Sequence, residues 1–212
     1  STPSTIELYM DGLTNLIASD TNTLALNFDL YTSSFAQGFH TLVMKATDGA
    51  LVEYDTVTYL SRTGTPVGVL PAYAEEGFKK LNDSTMYFQL RAPYKDFAYV
   101  KGDFDDWLLK PEFEMKKTPD GQFFWGEITG LDKNVEYGFQ YAVGWNGTYL
   151  SIADPYAEKV LVPYDDYYIQ DSIYPNLKQY PYGLTSNIVS TFQIEEPAYN
   201  WSTTNYQRPA QE

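Results

Sequence analysis

Apolar and polar positions alternate with period two along most of the chain, the spacing of a strand with one covered face. In "HTLVMKAT", Leu42, Met44 and Ala46 share a face. In "TMYFQLRA", Met86, Phe88 and Leu90 stand on one face, with Tyr87, Gln89 and Arg91 on the other. In "NIVSTFQI", Ile188, Ser190, Phe192 and Ile194 alternate with Val189, Thr191 and Gln193. These stretches predict half-buried β-strands. Turn signals fall between such runs: "MDG" from Met10, "TDG" from Thr47, "PDG" from Pro119 and "WNG" from Trp145. Glycine there takes the positive φ of a tight hairpin. The predicted fold class is all-β, in two tandem β-sandwiches.

The break between them is "SRTGTPVG", Ser61 to Gly68, which is polar and aperiodic and reads as a linker. Residues 1–62 are the smaller unit, and residues 66–195 the larger. The larger unit includes an excursion over 154–186, rich in Pro and Tyr, with little pattern. Residues 196–212 read as an extended tether. Helix is scarce; "EEGFKKL" and "PYDDYYIQ", the latter with Pro163 near its start, each predict a turn or two.

Charge narrows the partners. The 212 residues carry 28 acids against 14 bases, a net charge of −14. Nucleic acid binding needs a basic footprint, which this composition does not offer. An anionic membrane surface is disfavoured for the same reason, and no apolar run of about 18 residues predicts membrane insertion. With no cysteine, disulfides and thiolate metal sites are excluded. The one histidine, His40, argues against a histidine triad or zinc centre, and is expected to cap a turn or pack at an edge. No cofactor or metal is predicted. No signal peptide is read at Ser1, so the chain is expected to start at a mature or trimmed end. The 20 tyrosines suit β-structure and contact surfaces.

The acidic pairs Glu75–Glu76, Asp105–Asp106, Asp165–Asp166 and Glu195–Glu196 invite comparison with glycosidase carboxylates. Neighbours on a strand point to opposite faces, so these pairs read as solvated loop charge. "DFDDWLLKPEFE" places Asp103 and Asp105 in a calcium-loop spacing, but Leu108 stands where the tight-turn glycine belongs. "NDS", "NGT" and "NWS" match the N-glycosylation pattern, which matters only in a secreted eukaryotic protein. The remaining signal is aromatic: Trp107 ends an acidic turn, and Trp145 and Tyr149 flank the Asn146–Gly147 hairpin. A pyranose offers an apolar face that such rings can cover, with Asp105, Asp106, Asn146 and Gln140 as hydrogen-bond partners. Core packing of the same tryptophans is the competing reading.

"AYVKGDFDDW … DGQFFWGEITGL … VEYGFQYAV … NGTYLSIADPYA" resembles the family-48 carbohydrate-binding module, an early-set immunoglobulin-like sandwich, over about Met86 to Ala157. "DPYAEKVLVPYDDYYI … YPNLKQYPYG … NIVSTFQ … YNW … RPAQE" is similar to the segment preceding the catalytic barrel of Bacteroidetes-type α-amylases, glycoside hydrolase family thirteen. "IELYMDG … QGFHTLVMKATDG" resembles the small immunoglobulin-like domain such enzymes carry in front. The resemblance implies a non-catalytic accessory region of an extracytoplasmic α-amylase. It implies that region's partners too: α-glucan, bound weakly, or the parent's own catalytic barrel. Trp107 falls on one sugar-stacking position and Tyr149 near the second, with Trp145, Asn146 and Asp105 beside them. Asp105 replaces the family asparagine, and Gly138 stands where binding members carry a lysine. A stand-alone starch-binding surface protein and a pure spacer are the alternatives. No hydrolysis is expected from residues 1–212, because the resemblance stops where the barrel would start.

Overall fold

The computed structural model describes residues 5–31 and 35–196; the predicted tether past Glu196 lies outside them. The fold is all-β, in antiparallel sheets, with only short 3-10 turns besides.

The first unit is a four-stranded sheet of β1 (Thr5–Met10), β2 (Leu16–Thr21), β3 (Gly38–Asp48) and β4 (Leu51–Ser61), in the order β2-β1-β3-β4. Leu42, Met44 and Ala46 fall on one face, opposite Met10, Leu8 and Ile6 of β1. Ile6 is buried there, while Met44 remains 40% exposed. Most of β4 is exposed, including Leu51, Val52, Tyr54 and Val57.

The second unit is a two-sheet sandwich. One sheet orders β5 (Gly77–Asn82), β6 (Thr85–Arg91), β9 (Phe123–Ile128) and β8 (Lys116–Lys117) as β5-β6-β9-β8. The other centres on β10 (Glu136–Trp145). β7 (Phe97–Gly102) pairs along one edge of β10. Along its other edge, β11 (Thr148–Ile152) pairs with the C-terminal half and β13 (Val189–Gln193) with the N-terminal half. β12 (Val160–Leu161) lies outside β13. Between the sheets, Phe88, Phe139 and Phe192 meet edge to face with centroids 5.2, 5.5 and 5.7 Å apart, a favourable aromatic geometry.

Three local readings change. "EEGFKKL" is not helical: Gly77 takes φ 91°, and the strand that follows packs Phe78 against Phe88, Phe139 and Phe192. "PYDDYYIQ" yields only a three-residue 3-10 turn, Asp166–Tyr168. β6 is buried on both faces: Tyr87 lies beneath Tyr73 and Trp125, its hydroxyl donating to Gln89 Oε1 at 2.7 Å.

"SRTGTPVG" joins the two units and is itself held. Arg62 pairs with Glu114 Oε1 at 2.6 Å and stacks 4.0 Å over the Phe97 ring. Thr65 Oγ1 donates to Asp96 O at 2.7 Å, and Val67 makes a parallel bridge to Lys117.

Candidate functional site

"YVKGDFDDW" runs off the end of β7 into a turn that folds back on its own sheet. Asp105 Oδ1 accepts the amides of Gly102 and Trp107, both at 2.9 Å. Asp106 and Trp107 take φ 61° and 63°, so the chain reverses within two left-handed residues. The reversal lays the indole on the outer face of the five-stranded sheet, over Gly138. A Cβ at Gly138 would stand 3.3 Å from Trp107 Cζ2 and 3.2 Å from Val189 Cγ1. One at Gly102 would be 2.2 Å from the Gly138 carbonyl oxygen. Close approach therefore requires glycine at position 102 and leaves little room for a side chain at position 138.

Asp103 ties the arrangement together. Its Oδ1 accepts the Trp107 indole N–H at 3.1 Å, and its Oδ2 accepts the Gly138 amide at 2.6 Å. Lys178, far along the chain, reaches the same Oδ2 at 2.9 Å. The excursion closes over the indole: Leu161, Leu177 and Tyr180 join it in one cluster with Val189 of β13. Tyr180 donates to Asn187 O at 2.7 Å, and Gln140 Nε2 donates to the carbonyls of Ser186 and Ile188.

The predicted sugar-stacking residues separate accordingly. Trp107 is 5% exposed and Asp105 fully buried, so neither offers an open face to a ligand. Asp105 Oδ2 has no hydrogen-bond partner, and burial pushes the carboxyl up to about 7 against the pull of two backbone amides. Tyr149 is 40% exposed, with its ring 6.4 Å from Phe39 of the first sheet. Trp145 lies on the opposite face of β10, the side of Phe139, Tyr141 and Val143, and holds the Lys95 ammonium 4.0 Å above its ring. Alternation along β10 and β11 thus keeps Trp145 and Tyr149 apart. Asn146 (φ 48°) and Gly147 (φ 75°) form the two-residue hairpin turn, and the Asn146 amide donates to Asp96 Oδ2 at 2.9 Å.

The outer face of the five-stranded sheet carries two covers. Over Phe97, Tyr99 and Ala142 lie Leu109 and, from the first sheet, Phe39 and Leu60. Over Gly138 and Val189 lie Trp107 and the excursion. In the seam between them is a wide-open cavity of about 430 Å³, lined by Lys101, Tyr149, Thr185 and their neighbours. Sequence reading missed Lys101, Lys178 and Thr185, and weighed Asp103 only as a calcium-loop carboxylate. The available signal was a lysine in an otherwise apolar strand, "FAYVKG".

Members of the other acidic pairs are taken up by ion pairs and hydrogen bonds, some of them distant in sequence. Glu75 pairs with Lys79, Glu76 accepts the Tyr156 hydroxyl, Asp166 accepts the Val162 amide, and Glu195 pairs with Lys133. Among the described residues no three His, Asp or Glu side chains cluster as metal ligands. No protein-family model matches the chain, and no curated protein matches it significantly.

Proposed function

We propose that this chain is the non-catalytic accessory region of an extracytoplasmic α-amylase-type enzyme acting on α-glucans, and that it serves by packing on the catalytic barrel. The observation that carries the choice of packing over sugar stacking is the burial of Trp107 beneath Leu161, Leu177 and Tyr180. An indole covered on both faces cannot hold a pyranose. The cover itself turns Tyr164, Tyr167, Tyr168, Ile173 and Tyr182 outward. Exposed apolar surface of this kind suits a protein contact. The resemblance to family-48 modules and to the segment before an amylase barrel supplies the parent and the glucan.

Two measurements test this. Titrating maltoheptaose into the isotope-labelled chain should leave the Trp107 indole signal unmoved at high millimolar sugar. A saturable shift there returns the module to sugar stacking. Reading the gene beyond Glu212 should find a (β/α)₈ barrel; a further run of β-sandwiches in its place favours the stand-alone starch-binding protein.

A further inference from the structure

We propose that the seam cavity beside Lys101 binds an anionic, hydroxyl-rich ligand of monosaccharide size, a uronate or a sugar phosphate. The inference goes beyond the accessory role above and does not depend on it.

Among the described residues Lys101 is the one lysine or arginine that is buried; of the half-buried cations, Lys117 donates to the Lys95 carbonyl, Lys95 lies over the Trp145 ring, and others have carboxylates. Lys45 pairs with Glu7, Lys159 with Glu136, Lys178 with Asp103 and Arg62 with Glu114. Lys101 is only 6% exposed, yet the hydrogen bond its ammonium makes is to a neutral group, Thr185 Oγ1, at 3.1 Å. An ammonium has three donors. The Thr185 hydroxyl is itself committed, donating to Gln140 Oε1 at 2.6 Å. Burial pulls Lys101 below its ordinary value; Asp105 at longer range opposes this, itself pushed towards its neutral form by burial, and the Trp107 ring centroid lies 6.0 Å from the ammonium. A buried cation so poorly compensated is costly to the fold. An anion entering the cavity would supply the missing charge.

The walls define the rest of the ligand. A volume of about 430 Å³ lies within the range of small-molecule sites, roughly 300–1,000 Å³. Ser151, Thr185 and Asn187 bring hydroxyl and amide groups, while Tyr149 and Leu150 bring apolar surface. Asn187 Nδ2 donates to Ser151 O at 3.3 Å, which fixes one wall to β11. One cation without an arginine fork suits a single carboxylate or phosphate rather than a polyanion. A hydroxylated ring would fill the remaining polar and aromatic surface.

The test is a titration of the isotope-labelled chain, followed by NMR, with glucuronate, glucose 1-phosphate, glucose and inorganic phosphate. Saturable shifts centred on Lys101, Ser151 and Thr185 are expected with at least one acidic sugar. Glucose should bind at least tenfold more weakly. Lys101→Met should weaken the acidic sugar at least tenfold, and so should Leu184→Glu, an exposed change at the rim. If Lys101→Met does not fold, Leu184→Glu decides. The glucuronate and phosphate arms separate the two sources of negative charge. The proposal is overturned if neither acidic sugar binds, if glucose binds as tightly, if inorganic phosphate alone matches the sugar phosphate, or if the substitutions leave affinity unchanged.

Discussion

The sheet of residues 5–61 and the sandwich of residues 77–193 are built from strands of one pattern and packed in opposite ways. Both alternate apolar and polar positions. In the sandwich, β6 and β10 are covered on both faces: by the opposing sheet on one side, and by turns, linker or excursion on the other. In the first sheet, Ile6 is buried while Met44 and Val57, on the same face, stay open. Period two therefore reports which residues share a face, and says little about what covers it. What divides the two units is the length of irregular chain each has to lay over its strands.

The sharpest way to break this comparison is to cut into the two regions equally. Phe139→Ala removes a fully buried ring that touches Phe78, Phe88 and Phe192. It should cost about 3–5 kcal/mol, read as a fall in the urea midpoint. A loss under about 1 kcal/mol would mean that the sandwich core is as loosely built as the first sheet.

Next in size is Asp105→Asn. Burial raises this carboxyl from 3.8 to about 7, so the fold favours the neutral acid. Its contribution is whole below about pH 4 and is lost as pH rises through 7. Asparagine keeps the acceptor for the Gly102 and Trp107 amides and cannot ionise. The variant should gain on the order of 3 kcal/mol over wild type at pH 8, and little at pH 4. Parallel urea curves at the two pH values check this; equal pH slopes for variant and wild type contradict it.

The first sheet has its own titrating latch, and a smaller one. His40 Nδ1 lies 2.7 Å from Asp11 Oδ2 and Nε2 lies 2.9 Å from Ala36 O. Both ring nitrogens face acceptors, so the protonated imidazole can donate to both. The Ala36 carbonyl, then Asp11, raises the imidazole above 6.5, and His40 lowers Asp11. The latch is whole between the two shifted values: it opens above the raised histidine value and below the lowered Asp11 value. His40→Gln should cost no more than about 1 kcal/mol at pH 6, since Asp11 is open to solvent. The protection factor of the Thr41 amide, which donates to Asp11 Oδ1, should fall between pH 6 and pH 9 in wild type and stay flat in the variant once the base-catalysed intrinsic exchange rate is divided out. The smallest effect belongs to Val57→Thr on exposed β4, within about 0.5 kcal/mol by the same urea curves. A larger loss would show that this face is covered in solution.

The all-β class, the hairpin at Asn146–Gly147 and the strand in "NIVSTFQI" were legible because strand pleat and turn chemistry are local rules. The fate of Trp107 was not. Of its partners, Leu161, Leu177 and Tyr180 come from later, largely patternless sequence, and nothing local ties Val189 to it. Gly138 looked like a lost lysine; it is the place where the indole needs the room. The "EEGFKKL" misreading has the same root: Phe78 is claimed by a core whose other rings lie elsewhere in the chain. Lys101 sat in plain view, but nothing local distinguishes a buried lysine from one whose ammonium reaches water.

The place of β13 bears on the order in which the protein is made. Phe192 completes the central ring trio with Phe88 and Phe139, and it is among the last of the described residues to be synthesised. A nascent chain carries two of the three rings, and a β10 edge still unpaired over Glu136–Phe139, until Gln193 has left the ribosome. The first sheet, joined largely by neighbouring hairpins, is free to form earlier. The excursion between β12 and β13 therefore sets a delay during translation, through which the larger unit waits for its closing strand.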